Sequence, residues 1–284
     1  MKNLFSTIAL SAALAAPQVH AQETDWFVEA NLIGILYHEL GHAMIDILQL
    51  PVLGQEEDAV DVLTILLIDE LFDEEDAVEL AYEVAFGYIG GENGDPDDED
   101  EDDEEDEDED DSDDEDEEDE WEDESPYWSV HGSGDQRFYN TVCLFYGSET
   151  DDREEFAEDM ELPEERAEKC EAEYDLAYRS WGPILDGISG EGQSLQMLST
   201  GNDPTIQIVT EAVAELNEVL NLPVQVGVRV TTCGQPAAFY NPDEKEIIFC
   251  WEYTAYLQDL TDRGYFQGAD TGKWKMSGAN TMDG

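Results

Sequence analysis

The chain has 284 residues and a formal net charge of -63, from 74 Asp and Glu against 11 Lys and Arg. That imbalance excludes a nucleic-acid partner, because phosphate binding needs clustered Lys and Arg. The chain is still long and apolar enough for a sizeable core, and past Ala21 no stretch approaches the ~20 apolar residues of a membrane span.

Met1 to Ala21 combines Lys2, an apolar run from Leu4 to Ala16 and the small-x-small pattern Val19-His20-Ala21. This predicts a cleaved signal peptide over 1–21 and a periplasmic or secreted protein without stable membrane insertion. Residues 22–266 are expected to form one domain, interrupted by an acidic insertion over 92–124. From Asp97 to Glu124 every residue is Asp or Glu except Ser112 and Trp121. Such a run buries no apolar surface and predicts a solvated, self-repelling loop, with weak cation binding as its functional reading.

Trp26 to Leu50 reads as a helix, with Leu32, Leu36, Leu40 and Ile47 near helical spacing and Pro51 as its stop. A second helix is expected from about Gln55 and a third over 75–89, ended by Gly90-Gly91. Beyond the acidic run, helices are predicted over 136–146, 162–185 and 206–220, with a turn-rich linker over 187–204. Val224, Val226, Val228 and Val230 alternate as a half-buried strand does. Two short strands around Asn241-Pro242-Asp243-Glu244 follow, and 267–284 reads as a tail. The fold class is therefore α+β: a mainly helical domain with a small antiparallel sheet from the C-terminal segment. The four cysteines of an exported chain suggest disulfides. Cys143 with Cys170 and Cys233 with Cys250 are the local pairings.

Chemistry concentrates in Tyr37 to Asp61, where "HELGH" places His38 and His42 one helical turn apart, able to reach one ion. Glu39 between them is placed to act on a water there as general base. Asp46 continues the series, but eight helical residues rise ~12 Å, too far to share an ion with His38. Glu57, past the Pro51 to Gly54 break, is the better third ligand and Glu56 the alternative. Asp61, one turn after Glu57, can accept a hydrogen bond from a ligand histidine. His131, in the "VHGSGDQR" loop, is either an oxyanion donor or a surface-loop histidine. An alternative to catalysis is a non-catalytic acidic protein that binds cations or other proteins around a structural or relic metal site.

These residues carry a resemblance. "HELGHAMIDILQLPVLGQEEDAVD", "HGSGDQRFYNTVCLFYGS", "LPEERAEKCEAEY", "SWGPIL" and "CGQPAAFYNPDEKEIIFCWEY" resemble a bacterial metallopeptidase family classed as a domain of unknown function. That family is similar to zincin peptidases with a Glu third ligand. The resemblance implies Zn²⁺ on His38, His42 and Glu57, Glu39 as catalytic acid/base, and a peptide or protein substrate. Two features depart from the family: Ala237 stands where an Asn is usual, and the acidic run looks inserted. Zincins also place their sheet before the HExxH helix, whereas the strands here come last. A C-terminal hairpin laid beside the metal as an edge strand would restore the arrangement by permutation.

Overall fold

The structure is a computed structural model that describes residues 25–93, 129–263, 266–267 and 275–276. The expected signal peptide and nearly all of the acidic insertion lie outside the described residues. Its elements run α1 (Trp26–Leu48), α2 (Glu56–Leu71), α3 (Glu74–Asn93), α4 (Gly134–Ser148), α5 (Glu154–Asp159), α6 (Glu164–Ile188), β1 (Leu195–Met197), α7 (Pro204–Val219), β2 (Val226–Thr231), β3 (Ala238–Asn241), β4 (Glu246–Cys250), α8 (Trp251–Asp262), β5 (Phe266–Gln267) and β6 (Lys275–Met276).

Helix α1 is the centre of the fold. It is apolar on nearly every side, the pattern of a helix buried all round, and it packs against α2, α3, α7, α8, β3 and β4. Asp25 caps its start by accepting from the Phe27 N–H at 2.9 Å. Asn31, buried inside it, donates to the Phe27 and Glu83 carbonyls, which ties α1 to α3. Two glycines set how near its neighbours come. A Cβ on Gly34 would lie 2.7 Å from Val84 of α3, and one on Gly41 would lie 2.7 Å from Val60 of α2. Gly41 therefore lets α2 approach at the level of the two histidines.

The sheet has the order β1-β2-β4-β3. Val226, Val228 and Val230 of β2 face inward, as the alternation predicts. The sheet is mixed rather than antiparallel: β1 and β2 are parallel, as are β2 and β4, and only β3 runs antiparallel to β4. The reason is connectivity. Helix α7 carries the chain from β1 across to β2, which allows parallel pairing, and β1 itself falls inside the stretch expected to be a linker. Three further expectations change. Helix α3 continues through Gly90-Gly91 to Asn93. Helix α8 begins directly after Cys250, where the sequence reads as strand. Residues 267, 275 and 276, expected in a tail, belong to a short antiparallel pair, β5 with β6.

Both local disulfides are present, Cys143–Cys170 joining α4 to α6 and Cys233–Cys250 joining the β2–β3 loop to the end of β4. No described helix is long and apolar enough to cross a membrane.

Candidate metal centre

The cluster is built where α1 crosses the first turn of α2. His38 and Glu39 are buried on α1, at 3% and 5% exposure. Three acidic residues, Glu56, Glu57 and Asp58, open α2, where the positive end of the helix dipole favours them. The Pro51 to Gly54 connection returns the chain so that the two helices meet. Nε2 of His38 then lies 3.2 Å, and Nε2 of His42 3.3 Å, from one oxygen of Glu57, Oε2. His131, three residues before α4, brings its Nε2 to 3.0 Å from that oxygen. All three nitrogens are near enough for hydrogen bonds, but their approach angles are not those of one. Oε2 is buried and has no hydrogen-bond partner among the described residues.

The other ring nitrogens are occupied. Nδ1 of His38 donates to Asp61 Oδ1 at 2.8 Å, and Nδ1 of His42 to Glu56 Oε1 at 2.8 Å. A carboxylate on Nδ1 favours the proton there and leaves Nε2, the nitrogen facing Glu57, as the one to offer a metal ion. Asp61 is held in turn. Arg137 of α4 donates to both its oxygens at 2.8 Å, Tyr88 of α3 donates at 3.1 Å, and the Arg137 guanidinium stacks 3.9 Å from the Tyr88 ring centre.

Electrostatics match this geometry. Burial alone would raise the Glu57 carboxyl, but the imidazoles of His131, His38 and His42 outweigh it and hold the group well below the usual carboxylate range. Burial also works against the charged form of Asp61, yet His38 and Arg137 hold its carboxyl low. His38 is pushed down by burial and, more strongly, up by Asp61 and Glu57, to about 9. Glu39 is raised, chiefly by burial; the His38 and His42 imidazoles and, less strongly, the Tyr240 backbone N–H draw it partly back.

The donor set suits zinc, which takes imidazole and carboxylate ligands. Tetrahedral bonds of ~2.0–2.1 Å put neighbouring ligand atoms ~3.3 Å apart, close to the separations between Glu57 Oε2 and the three imidazole nitrogens. A buried oxygen met by three nitrogens without hydrogen-bond geometry fits atoms arranged around a shared ion.

Strand β3 lies against the same helix. The Cys250 N–H bonds the Ala237 carbonyl at 3.0 Å, so by alternation Phe239 and Asn241 also bond toward β4. Ala238 and Tyr240 then present their backbone groups to the outer edge, where Tyr240 meets Glu39. Asp46, too far along α1 to serve as a ligand, fastens this hairpin: it accepts from Tyr240 Oη at 2.8 Å and Lys245 Nζ at 2.5 Å. Ala237 keeps a backbone bond to β4 but supplies no polar side chain.

The structure thus gathers His38, His42, Glu57, Glu39, Asp61 and His131 at one place, with Glu56 on the Nδ1 side of His42. The sequence reading missed Arg137, Tyr88, and the Asp46, Tyr240 and Lys245 set. Arg137 had one available signal, being a scarce cation in a chain with 11 of them.

The family model described as "Putative metallopeptidase" matches residues 7–185 and 202–278. The chain belongs to that family. Comparisons with curated proteins and with solved structures returned no match.

Proposed function

We propose that this protein is an exported, zinc-dependent peptidase in which His38, His42 and Glu57 hold Zn²⁺ and Glu39 is the general base. The observation that carries this reading is the convergence of two imidazole Nε2 atoms on Glu57 Oε2, 3.2 and 3.3 Å away, beside the buried Glu39 carboxylate. Zinc, when bound, lowers the pKa of a water and polarises a carbonyl.

The protein's residues do the rest. Glu39 takes the proton from the attacking water and passes it to the leaving amine nitrogen, a role helped by its raised proton affinity. Asp61 and Glu56 keep the two imidazoles oriented through Nδ1. His131 donates to the oxyanion as the carbonyl is attacked. The outer edge of β3 offers the Ala238 backbone groups to an extended peptide, which would align its scissile bond beside Glu39. Two disulfides suit a periplasmic or secreted location.

The test is Glu39→Gln, assayed on a pool of unstructured peptides beside zinc content. Turnover is expected to fall by about 10²–10⁴-fold with zinc retained. Hydrolysis at the wild-type rate would refute this mechanism.

A further inference from the structure

His131 enters the cluster differently from a remote hydrogen-bond donor. Its Nε2 is nearer to Glu57 Oε2, at 3.0 Å, than that of either histidine of the HExxH pair. The candidate ligand atoms of His38, Glu57 and His131 all lie within 4.8 Å of one another; His42 stands outside that set and meets it at Glu57 Oε2, 3.3 Å away. The His131 ring lies nearly parallel to that of His38, with centroids 6.4 Å apart and planes at 26°. The two imidazoles therefore present their edges to the same oxygen from neighbouring positions.

We propose that His131 is a fourth, displaceable protein ligand of the metal. This deepens the zinc reading above and rests on it. With His42 drawn in, His38, His42, Glu57 and His131 would supply the four donors of a closed zinc site, and a site closed by four protein groups keeps no position for water. The resting protein is then latent, and the site opens when His131 withdraws.

Two observations mark His131 as the ligand that leaves. Its side chain is 44% exposed, whereas that of His38 is 4% exposed and that of His42 is 16%. No carboxylate among the described residues holds its Nδ1, although Asp61 and Glu56 hold those of the other two. Outer partners of this kind normally fix a ligand imidazole and strengthen its bond. His131 precedes α4, and its own backbone N–H donates to Ser129 Oγ at 3.2 Å. Once withdrawn, the side chain is free for the oxyanion role.

Zinc K-edge X-ray absorption on the full chain counts the imidazoles per zinc. Three are expected in the wild type and two in His131→Ala, with zinc affinity by chelator competition falling at least about tenfold in the variant. Two imidazoles in the wild type overturn the proposal and leave the zinc reading intact. No zinc in the wild type, after supplying it to folded protein, overturns both. The wild-type count decides even if the variant fails to fold.

Discussion

Glu83 is expected to make this protein lose stability between weakly acidic and neutral pH. Its side chain is 2% exposed on α3, and Oε2 has no hydrogen-bond partner among the described residues. Burial first, then the charges of Asp25 and Glu79, push its carboxyl from 4.5 up to about 8. A carboxyl raised in the folded state costs nothing below its unfolded pKa. Above it, the unfolded chain releases the proton that the folded chain retains, so stability falls until the pH passes the folded value. At about 1.36 kcal/mol per tenfold in proton affinity, the loss between pH 5 and pH 8 is roughly 3–4 kcal/mol. For a domain of this size that is roughly 10 °C in Tm. Calorimetry across pH 5–8 on wild type, Glu83→Gln and Glu83→Met measures it, because subtracting the profiles removes groups common to all three. The variants should match the wild type near pH 5 and exceed it at pH 8. Parallel profiles over that window would refute the argument.

Asp61→Ala should weaken zinc binding about 10–100-fold, since it frees His38 Nδ1 and strands Arg137; chelator competition checks this. Gly41→Ala forces a methyl toward Val60 at the α1–α2 crossing and should cost about 1–3 kcal/mol in denaturant unfolding while weakening zinc. Asp46→Asn and Tyr240→Phe should lower peptide turnover while leaving zinc content unchanged, because they loosen β3 without touching a candidate ligand. Deleting Asp97 to Glu124 should leave peptide turnover unchanged, which a rate comparison with the full chain checks.

The helices of the first half were legible because their signals are local: apolar spacing in α1, Pro51 as a stop, and acidic residues opening α2. Helix α8 was not, because "CWEYTAYLQDL" mixes aromatic and β-branched residues that also suit strands, and its packing on α1 decides the matter. The direction of β1 relative to β2 was equally hidden, since β1 is too short to show a period and its pairing depends on the α7 crossover. In the site, His38, Glu39 and His42 announce themselves by spacing. Glu57 required the turn to be inferred. Arg137 and Tyr240 meet their partners across 76 and 194 residues, a separation over which one sequence carries no pairing signal.

Asp46 joins helix α1 to a hairpin made almost at the end of the chain. During synthesis the HExxH helix and its Glu57 partner exist long before β3, so a nascent chain can present metal ligands without an edge on which to lay a peptide. On the proposed mechanism, the place for a peptide is complete only when the hairpin docks and the Cys233–Cys250 bond closes its loop. The order of residues thus puts the metal ligands of α1 and α2 early in the chain and the proposed substrate edge late.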